Sequence, residues 1–142
     1  MSIYHLKKRI KRNEGYSKLP YKDQLGYQTI GYGHLIKKNE KKYFVKTFTK
    51  KYFEELFEYD FQKTVVVYNK LFSQNNYKPN ERDLLIEMLF QLGPKGVLKF
   101  KKMLFYLQKK EKYMTCLEMM DSLWYKQTRN RVDNLIKHFI VD

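Results

Sequence analysis

Glu14-Gly15, then Asp23, then Gly26-Tyr27-Gln28-Thr29-Ile30-Gly31-Tyr32-Gly33-His34: this glycine-dense stretch of a 142-residue chain marks where a helix stops and a small sheet begins. Upstream of it, Ile3, Leu6 and Ile10 fall at helical spacing, with Lys7, Lys8, Lys11 and Arg12 turned the other way. Gly15 is a natural stop for that helix. From Tyr16 to Ile36, Pro20, the glycines at 26, 31 and 33 and short runs of Tyr, Thr and Ile read as antiparallel strands with tight turns.

The same stretch carries chemistry. Eight residues separate Glu14 from Asp23, and five separate Asp23 from Thr29. Paired carboxylates are the equipment of glycosidic bond cleavage: one protonates the leaving oxygen, the other activates water or attacks the sugar. Glu14 lies four past Ile10, on the inward stripe and at the negative end of a helix. Both features disfavour its anion and push its pKa up, as a general acid needs. Singly, Glu14 reads as a helix-end surface residue, Asp23 as a turn former and Thr29 as a strand residue. For any one of them alone, that plainer reading wins.

Downstream the chain turns helical. Lys37 to Lys42 is polar and reads as a surface loop. Thr49 reads as the N-cap of a long helix running to about Phe72, with Phe53, Leu56, Phe57, Thr64, Val67, Tyr68 and Leu71 as its apolar stripe. The β-branched run Val65-Val66-Val67 weakens that helix but does not break its periodicity. Asn80 reads as the cap of a helix over 81–92, apolar on nearly all sides and therefore central. Gly93-Pro94 ends it. Three amphipathic helices follow, over roughly 96–109, 112–123 and 129–141. The expected fold is α+β and mainly helical, a single domain over 1–142. It has a small N-terminal sheet lobe (about 1–50), a connecting helix (about 49–72) and an all-helical C-terminal lobe (about 73–142).

Composition bounds the partners. A net charge of +14 attracts polyanions, whether nucleic acid, anionic lipid or bacterial wall polymer. The basic residues are spread along the chain and are mostly lysine, which suits non-specific adhesion better than base reading. Cys116 is the single cysteine, so no intrachain disulfide forms, and its apolar neighbours Leu117, Met119 and Met120 mark it as a buried thiol. His5, His34 and His138 are isolated, so no metal-ligand cluster is evident and no cofactor is implied. The N-terminus has no continuous apolar run and reads as neither signal peptide nor membrane span.

Several separated stretches resemble the phage-type lysozymes, glycoside hydrolase family twenty-four. They are Asn13-Glu14-Gly15, Tyr21-Lys22-Asp23, Gly26 through Leu35, Met88-Leu89-Phe90-Gln91-Leu92-Gly93 with Gly96-Val97, and Trp124-Tyr125-Lys126-Gln127-Thr128-Arg129-Asn130-Arg131. They occur in order across nearly the whole chain. The resemblance implies a lysozyme-like fold and a peptidoglycan hydrolase. Its bond is the β-1,4 link between N-acetylmuramic acid and N-acetylglucosamine. Glu14 would be the general acid, Asp23 and Thr29 would hold the attacking water, and the outcome would be inverting. Arg131 matches an arginine that orients the glutamate. His34 and Asp60 match a structural ion pair, since a carboxylate on the apolar stripe of the long helix needs a partner; that pair should raise the histidine's pKa. Leu35 and Phe90 match sugar-contacting positions, with Gly33 and Gln91 as neighbours, although core packing is a rival reading for Phe90. Met103 and Glu118 stand where the family's cleft has small or polar residues, so fine substrate contacts do not carry over.

The resemblance also implies a monomeric endolysin made in the host cytoplasm and released with the help of a holin. It would bind anionic wall polymers and no specific nucleic acid. Two other readings compete: a non-catalytic basic module binding wall polymer or nucleic acid, and membrane disruption by cationic helices such as Lys126 to Asp142.

Overall fold

The computed structural model describes residues 3–141. Its elements run α1 (Ile3–Glu14), β1 (Ser17–Lys22), β2 (Gln28–Gly31), β3 (His34–Leu35), α2 (Lys42–Val45), α3 (Lys50–Phe72), a single 3-10 turn (Ser73–Asn75), α4 (Pro79–Leu98), α5 (Lys101–Gln108), α6 (Lys112–Met120), α7 (Leu123–Gln127) and α8 (Arg129–Ile140). This is the mainly helical α+β, lysozyme-like arrangement, with its small sheet near the N-terminus. The chain forms two compact units that divide inside α3, between Lys63 and Thr64. None of the described helices is long and apolar enough to cross a membrane.

In the first unit α1 buries Leu6, Arg9 and Ile10, while Ile3, its first residue, is 40% exposed. The lysines expected to face water do not all do so. Lys7 Nζ lies 2.8 Å from Glu58 Oε1 and Lys11 Nζ 3.8 Å from Glu54 Oε2, so both turn toward α3. Their ammonium groups lie over aromatic rings, Lys7 over Phe61 and Lys11 over Tyr32 and Phe57. A cation over an aromatic face is attracted by the ring's quadrupole.

The sheet is antiparallel in the order β1-β2-β3. Tyr21 pairs with Thr29, Lys22 with Gln28, Thr29 with Leu35, and Ile30 with His34. The β1–β2 ladder is irregular between Ser17 and Tyr21, where Pro20 has no N–H to donate. Behind the sheet, Ile30, Tyr43 and Phe53 form a buried cluster packed by Tyr32, Ile36, Phe48, Tyr52 and Leu56. Thr49 starts α3 as the sequence suggests, its Oγ1 accepting the Tyr52 amide at 3.1 Å.

In the second unit α4 carries the buried run Asp83 to Leu89, joined in the core by Val97, Met103, Leu107, Met119, Trp124, Val132, Leu135 and Phe139. Three expectations change here. Lys78, not Asn80, is the N-cap of α4. Pro79 fixes its φ at the helical value and suits the first helical position, which draws Asn80 into the helix. The Lys78 amide is satisfied by Glu81 Oε1 at 2.7 Å, and Asn80 instead donates to the Phe139 carbonyl at 3.1 Å. Gly93 breaks α4 at φ 74°, ψ 169°, as its place beside Pro94 suggests, but a helical turn resumes through Leu98. The helix expected over 96–109 therefore divides at Phe100, and that expected over 112–123 stops at Met120, before a separate α7 capped by Ser122.

Candidate active site

Glu14 is the last residue of α1. Gly15 follows with φ 73°, its amide closing on the Lys11 carbonyl at 3.0 Å, so the helix ends in the left-handed turn a glycine permits. The half-buried Glu14 side chain then meets the loop between β2 and β3. A β-carbon added to Gly33 would lie 2.5 Å from Glu14 Oε1 and 2.7 Å from its carboxyl carbon. Gly33 also has φ +80°. The loop needs a glycine there twice over, for its backbone and for the room it leaves the carboxyl group. A second glycine shapes the same loop: at Gly31, a β-carbon would fall 2.6 Å from Phe53 Cδ1.

Asp23 stands in the turn between β1 and β2. Its amide donates to the Tyr27 carbonyl at 2.9 Å, and its Oδ1 accepts the amides of Leu25 at 3.0 Å and Tyr27 at 2.8 Å. The carboxylate is thus held by the turn it builds, an Asx arrangement extended by one residue. Thr29 lies in the middle strand, only 2% exposed, and its Oγ1 donates to the Tyr27 carbonyl at 2.8 Å. Tyr27 links the two: its amide binds Asp23 and its carbonyl takes the Thr29 hydroxyl, which leaves that hydroxyl able only to accept further hydrogen bonds.

His34 is the third polar centre of this unit. Its Nδ1 lies 2.7 Å from Asp60 Oδ2, and its Nε2 lies 3.0 Å from Glu40 Oε1. Both ring nitrogens face carboxylates, and a neutral imidazole has only one N–H to give. The geometry therefore suits the imidazolium. Burial works against that charge, but the bonds to Asp60 and Glu40 outweigh it and hold the His34 pKa above its ordinary value. For Glu40 burial is again the opposing influence. The Lys37 amide at 2.9 Å and His34 prevail and hold its carboxyl below the ordinary value. The family resemblance pairs His34 with Asp60, and nothing in the sequence reading singles out Glu40. The available signal was a lone acid inside a lysine run, six residues past the histidine.

Of the remaining candidates, Leu35 belongs to the first unit and the others to the second. Leu35 is exposed on β3, and Phe90 is half-buried on α4. Gln91 Oε1 accepts the Trp124 indole N–H at 3.0 Å, so its carbonyl serves the fold of the second unit. Met103 is a buried core residue, and Glu118 lies half-buried on α6. Arg131, on α8, has its Nε 3.7 Å from Oε2 of the fully buried Glu87. Glu87 and Asp83 also escaped the sequence reading, which treated their helix as apolar; a buried acid is visible only once its cation is placed beside it. Asp83 Oδ1 pairs with Arg82 Nη2 at 2.9 Å. Among the described residues, no cluster of His, Cys, Asp and Glu could hold a metal ion.

A family model described as phage lysozyme matches residues 11–138. "Probable T4-type lysozyme 2" of Dictyostelium discoideum is 34% identical, covering 96% of this chain and 94% of its own length. "Probable T4-type lysozyme 1" of the same organism is 29% identical, over 94% of this chain and 92% of its own length. The pre-baseplate central spike protein Gp5 of Enterobacteria phage T4 is 30% identical over 89% of this chain, which corresponds to 26% of that larger protein.

Proposed function

Since the chain belongs to the phage lysozyme family, we propose that it is a lysozyme-type hydrolase of peptidoglycan. Its target is the β-1,4 link between N-acetylmuramic acid and N-acetylglucosamine. Glu14 gives its proton to the glycosidic oxygen as the bond to the anomeric carbon breaks. A water on the opposite face supplies the new bond. Asp23 takes that water's proton through Oδ2, since Oδ1 receives two backbone amides. The Thr29 hydroxyl donates to the Tyr27 carbonyl, so it meets the water as an acceptor and turns the water's lone pair toward the sugar. Attack by water rather than by a carboxylate inverts the anomeric centre.

The observation that carries this reading is the fit of the Glu14 carboxyl against the bare α-carbon of Gly33. General acid catalysis depends on holding the acid in one place, because a misplacement of about 1 Å costs on the order of a hundredfold in rate. A helix end and a glycine loop that close on one carboxyl group supply that placement.

In this reading the protein acts as an endolysin and a monomer, released to the wall with a holin's help. The +14 charge adds adhesion to anionic wall polymers. The test is product chemistry. Digests of purified peptidoglycan should carry new reducing ends on N-acetylmuramic acid, and NMR of the first product should show the α-anomer. Reducing ends on N-acetylglucosamine would refute the bond assignment, and a first-formed β-anomer would refute inversion.

A further inference from the structure

The segment from Lys37 to Lys51 contains seven lysines and one acid. All seven lysines are exposed. The acid, Glu40, receives His34 and the Lys37 amide, so it is turned inward to the polar centre beneath the loop. At the crest sits α2, whose residues divide sharply. Tyr43 is buried, with its ring against Phe48, Tyr52 and Phe53 and its hydroxyl 2.8 Å from that of Tyr52. The next two residues, Phe44 and Val45, are 54% and 79% exposed. Lys42 and Lys46 lie to either side, their ammonium groups 5.3 Å over the Tyr43 ring and 6.0 Å over the Phe48 ring.

Anchoring through Tyr43 leaves no slack for α2 to fold its two apolar side chains under. They stand exposed in a lysine-rich segment whose one acid, Glu40, is engaged by His34 and the Lys37 amide. Glu40 and Tyr43 both belong to the packed unit, so the crest is preformed and pays little ordering entropy on contact.

We propose that this lysine-rich segment docks on an anionic lipid bilayer, with Phe44 and Val45 entering the headgroup boundary and the lysines engaging the lipid phosphates. The apolar pair decides between partners. A soluble polyanion would use the lysines alone and leave Phe44 and Val45 in water. A bilayer uses both, since surface binding combines apolar burial with attraction to anionic headgroups. Such docking would hold the protein at the membrane face of the wall. It does not depend on the hydrolytic reading, because binding is measured without turnover.

The test is co-sedimentation with vesicles of phosphatidylglycerol and phosphatidylcholine, with pure phosphatidylcholine vesicles and soluble polyphosphate as comparisons. Wild type should bind the anionic vesicles and not the neutral ones. The double variant Phe44→Ser/Val45→Ser should bind anionic vesicles roughly tenfold more weakly. It should keep wild-type affinity for polyphosphate, wild-type wall lysis and a wild-type thermal midpoint, since both positions are exposed. In a separate variant, Phe44→Trp, emission should shift to the blue on anionic vesicles and stay unmoved on polyphosphate. Equal vesicle binding by wild type and the double variant would overturn the proposal and leave a polyanion surface in its place. So would an absence of vesicle binding by wild type.

Discussion

A β-carbon on Gly33 would stand 2.5 Å from Oε1 of Glu14, a distance that forces one of them to move. Gly33→Ala should therefore act on the acid itself. Wall lysis should fall by about ten- to a hundredfold through its displacement. Positive φ adds about 1–2 kcal/mol of backbone strain. Gly93→Ala is the control, since it too has positive φ but nothing lies within 4 Å of its added β-carbon. Its stability should drop while the lysis rate per folded molecule holds. Equal lysis by Gly33→Ala and wild type would detach Gly33 from the acid.

His34 makes stability depend on pH in a defined window. Its pKa is raised, so its contribution is complete below its ordinary value of 6.5 and is lost as pH rises through the folded value. Glu40 is lowered, so its contribution is complete above 4.5 and is lost as pH falls through its folded value. The cluster should contribute most between pH 4.5 and 6.5. Denaturant midpoints of wild type and His34→Gln should differ most in that range and converge in alkali. An NMR titration of the His34 ring should show an upward shift; a midpoint below 6.5 would contradict the doubly bonded imidazolium.

Asp23 has a structural and a chemical oxygen. Asn at 23 can still accept the Leu25 and Tyr27 amides through its carbonyl. Asp23→Asn should keep the wild-type thermal midpoint to within a few degrees and lose about a hundredfold or more of lysis, the usual scale for a missing general base. Asp23→Ala should lose both turn and activity.

Gln91 should behave as a framework residue. Gln91→Ala strands the indole N–H of buried Trp124, a loss of about 1–3 kcal/mol. Gln91→Glu restores the acceptor and should recover most of that stability. Denaturant unfolding of the two variants checks it; a larger effect on lysis than on unfolding would return Gln91 to the sugar-binding set.

Much of this was legible before any coordinates. Gly15, Gly31 and Gly33 mark turns because only glycine takes their φ cheaply, and the stripe on α3 is long enough to average over Val65 to Val67. What escaped lies in tertiary detail. Lys7 and Lys11 pattern as solvated until Glu58 and Glu54 are seen across from them. Lys78 caps α4 although lysine has no side-chain acceptor, because Glu81 reaches back to its amide. The Glu40 contact closes a loop whose path no local pattern gives. Within the candidate site, the order of Glu14, Asp23 and Thr29 was readable, while the clearance at Gly33 and the shared partner Tyr27 needed the fold.

The central claim is that Glu14 is the acid of a wall hydrolase, and turbidity loss of a peptidoglycan suspension tests it most directly. Wild type should clear the suspension. Glu14→Gln, which keeps the size of the side chain but holds no transferable carboxyl proton, should be slower by about a hundredfold or more with an unchanged thermal midpoint. Clearing by both proteins at the same rate would contradict the account.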